Sequence, residues 1–288
     1  MLTGAGGTLG IRLTPKLKRA FGASAVHCCY HSSETKFSGD SYSCCGDLTE
    51  KDFLEDSLKK SSPQVIINLA SLTDVNHCEE KPEKAQLINV GLVEQISEMA
   101  PRAKLVQIST DYVFDGESGN YKPNDKTNPI SVYGITKLAG ESATLKNPDN
   151  LVIRTSGLFD SRPGNLFYFF MDKLKRSQEV SALSDCWYSP TSAVSLAESI
   201  VALIENNASG VIHFAGPERV TRYDFALLIA ESLGYDKALV KKMSQSNFNW
   251  PARRPRDSSL DSYDGYSNSN LKHRGLAEEL GRIISIRE

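Results

Sequence analysis

Hydrophobic residues in the first part of the chain form short runs that alternate with amphipathic stretches. The apolar runs lie at residues 25–30, 65–70, 105–108 and 151–155. The run at 65–70 is nearly continuous, which is typical of a strand covered on both faces. Between the runs, residues 11–17 and 82–99 carry apolar side chains at helical spacing. Strands that alternate with helices predict an α/β protein with a doubly wound parallel (Rossmann) sheet.

The pattern is less regular after Gly157. Helices are predicted at residues 165–176 and 190–206 and from Thr221 onward, and a strand is predicted at 211–215. We therefore predict a dinucleotide-binding domain over residues 1–156 and a smaller α/β substrate-binding domain, mainly within 157–288. Part of 178–215 is expected to return to the first domain.

Composition excludes several classes of partner. The 288 residues are 40% hydrophobic, which allows a full core, and the net charge is −2 with a pI near 6.2. No broad basic surface is expected, so neither nucleic acid nor an anionic membrane is a predicted partner. The apolar runs are far shorter than the roughly 20 residues that span a bilayer. We expect a cytoplasmic protein.

The six cysteines show no familiar metal-binding spacing. Neither adjacent pair forms C-x-x-C, and no histidine stands at zinc-finger spacing from them. Cys28 and Cys29 fit a buried strand, because a buried cysteine behaves as a small hydrophobe. The sequence therefore predicts no metal site and a reducing compartment.

A glycine-rich turn opens the chain. Gly4, Gly7 and Gly10 form G-x-x-G-x-x-G just before an amphipathic helix. Such glycines allow a tight turn and close approach of a dinucleotide pyrophosphate to the helix N-terminus. The motif alone is weak, because glycine-rich turns also end ordinary strands. Only three residues precede Gly4, which suggests that residues are missing before Met1.

The residues after the second predicted strand bear on cofactor choice. Tyr30, His31, Ser32 and Ser33 stand where an NAD-binding fold usually has a carboxylate for the ribose 2′-hydroxyl. Hydroxyl and imidazole groups suit a 2′-phosphate better, so NADP(H) is the preferred cofactor and NAD(H) the alternative. An ordinary turn is the other interpretation.

The segment from Ser109 to Lys137 carries the candidate chemistry. Tyr133 and Lys137 are four residues apart in a predicted helix, so they share one face. A neighbouring ammonium lowers the pKa of a phenol, and a hydroxyl from Ser109 or Thr110 could hold a carbonyl oxygen against it. Of the eleven tyrosines, this is the one with a lysine four residues on. The pattern favours proton transfer to a carbonyl that is being reduced.

A basic cluster lies near the end of the chain. Residues 251–256 read P-A-R-R-P-R. A solvated loop is one interpretation. The other is a clamp in which Arg253 or Arg254 binds a diphosphate, since the planar guanidinium matches phosphate geometry.

These motifs together resemble the extended short-chain dehydrogenases/reductases, and within them the dTDP-4-dehydrorhamnose reductase family. The resemblance rests on T-G-A-G-G-T-L-G at 3–10, N-L-A-S-L-T-D-V-N-H-C-E at 68–79, S-T-D-Y-V-F-D-G at 109–116 and Y-G-I-T-K-L-A-G-E at 133–141. H-F-A-G at 213–216 and R-R-P-R-D-S-S-L-D at 253–261 resemble landmarks of the substrate domain.

The resemblance implies a role for each matching residue. Tyr133 is expected to donate the proton, Lys137 to lower its pKa and hold the nicotinamide ribose, and Thr110 to hold the carbonyl oxygen. The expected cofactor-binding residues are Gly4, Gly7, Thr8, Leu9, Gly10, His31, Ser32, Asp47, Leu48, Leu69, Ala70, Ser71, Tyr133 and Lys137. The expected substrate-binding residues are Asp111, Asn165, Arg253 and Arg254.

The implied activity is NAD(P)H-dependent reduction of the 4-keto group of a nucleotide-linked 6-deoxy sugar, as in dTDP-rhamnose biosynthesis. Two departures lie on the substrate side. Gly157 stands where the reductases commonly carry a tryptophan, and the segment 185–188 differs from the usual D-Q-x-G. Two alternatives stay open at this point. One is a non-catalytic, NADP-binding subunit like the regulatory subunit of methionine adenosyltransferase, and the other is a nucleotide-sugar epimerase or dehydratase. A homodimer is one assembly that the sequence allows.

Overall fold

The computed structural model describes residues 1–32 and 42–286. Its strands are β1 Leu2–Thr3, β2 Cys28–Tyr30, β3 Ser43–Cys45, β4 Val65–Asn68, β5 Lys104–Thr110, β6 Leu151–Thr155, β7 Leu158–Phe159, β8 Val180–Leu183, β9 Trp187–Tyr188, β10 Thr191–Ser192, β11 Gly210–His213, β12 Val220–Thr221 and β13 Val240–Met243. Its helices are α1 Thr8–Phe21, α2 Lys51–Ser61, α3 Val75–Glu80, α4 Pro82–Gln86, α5 Leu92–Met99, α6 Val132–Thr144, α7 Leu166–Lys175, α8 Ala193–Glu205, α9 Arg222–Leu233, α10 Tyr263–Ser269 and α11 Leu276–Ser285.

Seven strands form one parallel sheet in the order β3-β2-β1-β4-β5-β6-β11. The strand order reverses between β1 and β4, which opens a crevice at the carboxyl ends of the strands. One face packs on α1 and α8, and the other packs on α2 and α5. The predicted doubly wound fold is confirmed.

The first strand is short and central. Leu2 N donates to His27 O over 2.8 Å on one side, and Ile67 N donates to Met1 O over 2.9 Å on the other. Two residues of β1 therefore suffice to join β2 to β4. Whether residues precede Met1 stays a prediction.

A second, smaller core lies beyond β6. It is built from α7, α9 and α11 around Phe167, Phe225 and Leu280, with β8 and β13 paired beside them. Helix α8 packs in the first core, and β11 belongs to the seven-stranded sheet. Both elements lie within the stretch predicted to return to the first domain. Helix α10 also packs on the first core through Tyr266, which the hydrophobic pattern did not indicate. None of the helices in the described part of the chain has the length and apolar character needed to cross a bilayer.

A buried ion pair fixes α6 to the sheet. Arg154 of β6 donates to both carboxylate oxygens of Glu141, the closest contact being 2.7 Å from Nη2 to Oε2. The two side chains are 5% and 2% exposed. Ser109, on β5, donates a further hydrogen bond to Glu141 Oε1. One carboxylate therefore holds a helix and two strands together.

Replacing Glu141 with alanine should lower the free energy of unfolding by about 3–5 kcal/mol, because it leaves the Arg154 guanidinium buried and unpaired. Urea titration of both proteins measures the change. Glu55→Ala, which breaks the exposed Glu55–Lys59 pair on α2, is the matched control and should leave stability unchanged. Equal stability of Glu141→Ala and the wild-type protein would contradict this account.

Candidate active site

Local backbone geometry brings Tyr133 next to the end of β5. Thr110 ends β5, and its Oγ1 accepts a hydrogen bond from Tyr112 N over 3.2 Å to open a single turn. Ser131 caps α6 by accepting from Gly134 N over 3.3 Å. A Cβ on Gly134 would stand 2.2 Å from Tyr112 O. Glycine at 134 therefore permits the close approach that places Tyr133 beside Thr110.

The environment of Tyr133 keeps its phenol protonated. Burial raises the pKa of Tyr133, and the hydrogen bond with Thr110 opposes that rise only in part. The Tyr112 ring meets it edge-on with centroids 5.7 Å apart. Burial is the largest cause, so the net shift of this pKa is upward, and the lowering expected from Lys137 stays a prediction. A neutral phenol is the form that donates a proton to a carbonyl.

The ammonium group of Lys137 is held by β5 and by the loop that follows β4. Its Nζ donates to Ile108 O over 2.7 Å and to Ser71 Oγ over 3.3 Å. The side chain is almost fully buried, and this burial lowers the pKa of Lys137 to about 8. The ammonium therefore lies one helical turn from Tyr133, on the same face of α6, and bridges to the loop after β4.

Of the two hydroxyls considered from the sequence, the structure favours Thr110. Ser109 is committed to Glu141 and points away from Tyr133. Thr110 Oγ1 donates to Asp111 Oδ1 over 3.0 Å and lines the cavity beside Tyr133.

Asn89 organises the cofactor side and was missed from the sequence. It lies in a π-helical turn, Leu87–Gly91, between α4 and α5. Its Oδ1 accepts from Ser71 Oγ over 2.8 Å and from Leu72 N over 2.9 Å, while Nδ2 donates to Thr136 Oγ1 over 3.1 Å. Such turns often mark functional sites. Asn89 thus joins the loop after β4 to the catalytic helix.

The glycine-rich turn has the shape that a pyrophosphate needs. Gly4 has φ of 63°, and a Cβ there would lie 2.9 Å from Ala70 N. The loop 69–70 is held close because Leu69 N and Ala70 N both donate to Thr3 Oγ1. Helix α1 begins directly after Gly7 with neither a side-chain cap nor an acidic residue in its first turn. Thr8, Leu9 and Gly10 therefore offer backbone N–H groups, and the Leu9 side chain is buried in the core.

Four predicted cofactor residues meet where β2 and β3 end. His31 and Ser32 follow β2, and Asp47 and Leu48 follow β3. Hydrogen bonds from Thr49 are the main cause of the lowered pKa of Asp47, and the charge of His31 contributes to it. The Leu48 side chain is 7% exposed and packs in the core. Ser33 lies outside the described residues.

A cavity of about 280 Å³ adjoins Tyr133 between the two units. Asp111 is buried at its base, where its carboxylate accepts hydrogen bonds from the hydroxyls of Thr110, Ser156 and Ser258. Burial raises the pKa of Asp111 in spite of these donors. Asp111 therefore lines the cavity beside Tyr133, and its contact with a sugar stays a prediction.

The predicted substrate residues outside Asp111 divide into one that lines the cavity and two that do not. Arg254 lines it, held by Asn76 Oδ1 at 3.0 Å and stacked 4.0 Å from the Trp250 ring centroid. Arg253 is exposed, because the loop turns its side chain outward. Asn165 is the N-cap of α7, where its Oδ1 accepts from Tyr168 N over 3.2 Å. Neither Arg253 nor Asn165 is among the cavity-lining residues.

Arg222 is a second cation at the cavity that sequence reasoning missed. It is half-buried, and it makes neither a hydrogen bond nor an ion pair with the described residues. A guanidinium removed from water without a partner is costly, so this one is available for an anion. The sequence feature that could have located Arg222 is the capping box of Thr221 and Asp224. This capping box starts α9 and makes Arg222 the first residue of the helix.

The ring of Tyr188 packs directly against Gly157. Gly157 has φ of 47°, and a Cβ there would lie 2.2 Å from Tyr188 Cε2. The Tyr188 hydroxyl is buried and has no hydrogen-bond partner among the described residues. An aromatic wall of the cavity therefore comes from β9, next to the glycine between β6 and β7.

NADPH affinity should fall as the pH rises above about 8, because Lys137 loses its charge there. The loss should reach up to about tenfold per pH unit for one linked proton. Fluorescence titration at several pH values measures it. Lys137→Met should bind weakly with no such slope, whereas Lys146→Met, an exposed lysine after the same helix, should keep it. An unchanged slope in Lys137→Met would rule out this assignment.

Comparison with known proteins gives consistent matches over nearly the whole chain. The family profile described as RmlD substrate binding domain matches residues 1–287. The dTDP-4-dehydrorhamnose reductase of Salmonella typhimurium is 34% identical over 241 residues, which cover 79% of this chain and 81% of that protein.

Two solved structures are similar in fold and in sequence. A hypothetical dTDP-4-dehydrorhamnose reductase from Sulfolobus tokodaii is 39% identical, with a TM-score of 0.85 over 96% of this chain and 97% of the other. The dTDP-4-dehydrorhamnose reductase of Bacillus anthracis in complex with NADP is 25% identical, with a TM-score of 0.83 over 99% and 98% of the two chains.

Proposed function

The chain belongs to the family of the RmlD substrate binding domain, and we propose from this membership and from its own site that it reduces the 4-keto group of a nucleotide-linked 6-deoxy sugar. It is an NAD(P)-dependent oxidoreductase similar to dTDP-4-dehydrorhamnose reductase. One observation carries the proposal: the phenol of Tyr133 and the strand-end hydroxyl of Thr110 line one cavity, and the buried Lys137 lies one helical turn from that phenol.

The residues present fit a dinucleotide cofactor. The close approach of Gly4 to Ala70 and the uncapped start of α1 suit a pyrophosphate. NADP(H) is the preferred cofactor, with NAD(H) the alternative, because no carboxylate is present at His31 and Ser32 to repel a 2′-phosphate. When bound, the reduced nicotinamide supplies a hydride to the substrate carbon.

The chain's own groups complete the reduction. Tyr133 gives its phenolic proton to the carbonyl oxygen as the carbon accepts two electrons, and Thr110 turns its hydroxyl from Asp111 to hold that oxygen. Lys137 then stabilises the phenolate that is left, because opposite charges attract strongly in a buried site. Asp111 accepts hydrogen bonds from hydroxyls of the sugar, and these bonds fix the orientation of the sugar ring.

Charge complementarity supports a diphosphate on the substrate. Arg222 and Arg254 both face the cavity, and no carboxylate pairs with either of them in the described residues. A nucleoside diphosphate supplies the two negative charges that would balance them. The sugar then lies at Tyr133, and the diphosphate lies toward the C-terminal unit.

The regulatory-subunit alternative lacks a comparable observation. Partner binding would not need Tyr133 and Thr110 to line one cavity with two guanidinium groups that no carboxylate pairs in the described residues. A cytoplasmic location is part of the proposal and is supported by six free thiols. A homodimer is also proposed, on the family resemblance alone, and light scattering after gel filtration checks it.

Purified protein should oxidise NADPH when given a nucleotide 4-keto-6-deoxy sugar, and faster than it oxidises NADH. Tyr133→Phe should lower turnover by about 10²–10⁴ while leaving NADPH affinity unchanged, because only the proton donor is lost. Tyr263→Phe is the control, since Tyr263 is 69% exposed. Nicotinamide absorbance follows the reaction. Wild-type turnover in Tyr133→Phe would contradict the proposed mechanism. Absence of turnover by the wild-type protein with every such sugar would contradict the proposed function.

Arg254→Ala and Arg222→Ala should each weaken binding of dTDP about ten- to a hundredfold, the loss expected for one charge-assisted hydrogen bond. Arg253→Ala is the matched control from the same loop and should bind as wild type does, because its side chain is exposed. Calorimetric titration measures the three affinities. Similar losses in Arg253→Ala and Arg254→Ala would show that the loop acts only through its overall charge.

A further inference from the structure

Three metal-binding side chains meet on the edge of the sheet, away from the active-site cavity. Cys29 on β2 and Cys44 on β3 are direct partners in the parallel ladder. His27 lies two residues before Cys29, so it is on the same face. The thiol sulfurs of both cysteines and a ring nitrogen of His27 lie within 4.8 Å of one another.

Two features of the cluster indicate a ligand. The Nε2 atom of His27 is buried and has no hydrogen-bond partner among the described residues, although buried polar atoms are seldom left unsatisfied. The Cys44 sulfur lies opposite the Cys29 sulfur in the strand ladder and within 4.8 Å of it. Ser57 Oγ also donates to Cys44 Sγ over 3.4 Å. A ring nitrogen of His27 and the sulfurs of both cysteines therefore face the same small space.

We propose that His27, Cys29 and Cys44 bind a thiol-seeking metal ion, with Zn²⁺ as the physiological occupant. Two sulfurs and one imidazole form a ligand set that Zn²⁺ prefers, and a water molecule can take the fourth tetrahedral position. Ligand atoms around one zinc ion stand roughly 3–4 Å apart, given bonds of about 2.0–2.3 Å. Small rotations of the three side chains reach that geometry.

The position of the cluster gives the ion a structural role. Strand β3 is an edge strand of three residues, and it pairs with β2 alone in the sheet. An ion bound to Cys29 and Cys44 cross-links these two strands. Residues 31–32 and 47–48, at the predicted adenosine end of the cofactor, directly follow them. His27 and Cys44 are half-buried in the described part of the chain.

The chain contains its own control cysteines. Cys45 is exposed and adjacent to Cys44, and Cys28 faces the opposite side of β2 with Thr14 near its sulfur. Neither belongs to the cluster. Variants at these two positions alter the thiol content without touching the proposed ligands.

The test uses the full-length protein with a phosphine reductant, titrated first with Co²⁺ and then with Zn²⁺. Wild type, Cys45→Ser and Cys28→Ser should bind a single Co²⁺ with a sulfur-to-cobalt absorption band, and Zn²⁺ should remove that band. Cys44→Ser should lose the band, and His27→Gln should weaken Zn²⁺ binding about tenfold or more. Equal Zn²⁺ affinity in Cys44→Ser and wild type would overturn the proposal.

A second measurement needs no variant. Zn²⁺ should protect Cys44 of the wild-type protein from alkylation, as mapped by mass spectrometry, while Cys45 reacts at the same rate with and without the ion. Labelling of Cys44 that does not respond to Zn²⁺ would refute the site, and so would a Cys29–Cys44 disulfide that persists in the reductant.

Discussion

The buried pair of Glu141 and Arg154 is the constraint on which the active site depends. Tyr133, Lys137 and Glu141 follow one another at intervals of four on α6, so they lie along one face of the helix. Pinning Glu141 to β6 therefore sets the rotation of the helix and aims the other two side chains at the ends of the strands. The desolvation cost of the pair is offset by the hydrogen bond from Ser109 and by close bidentate geometry.

Arg154 also contacts the loop that precedes α6. Its Nη1 donates to Pro123 O over 3.1 Å, and its guanidinium stacks 5.2 Å from the Phe114 ring centroid. The loop between β5 and α6 is thus tied to the same charge.

The proposed function requires two anion sites, and the chain would build each of them differently. On the cofactor side, backbone N–H groups at the start of α1 act through the partial charges of the helix terminus. On the substrate side, the side chains of Arg222 and Arg254 act as full charges at the cavity wall. In the proposed reaction, negative groups held at these two sites would orient the reacting carbons toward each other beside Tyr133. Rigid positioning of this kind is a large part of enzymatic rate enhancement.

Local patterns predicted what depends on short stretches of chain. The parallel sheet, the glycine-rich turn and the Tyr133–Lys137 pair all follow from periodicity or from spacing along one element. Contacts between distant segments could not be predicted. Arg222 faces the cavity because α9 starts there, and Asn89 reaches the catalytic helix across a π-helical turn. Cys29 and Cys44 are neighbours only through strand pairing. The net direction of the Tyr133 pKa could not be predicted either, because burial, its largest cause, depends on the whole fold.

The contact between Gly157 and Tyr188 constrains how this pocket could evolve. A side chain at 157 would meet the Tyr188 ring at 2.2 Å, whereas a small residue at 188 would leave a gap above Gly157. The familial tryptophan at 157 and the tyrosine at 188 are therefore mutually exclusive ways to build one wall. A lineage cannot pass between them by a single substitution without crossing a clashing or a hollow intermediate. Residues 157 and 188 should therefore change together wherever this wall is rebuilt.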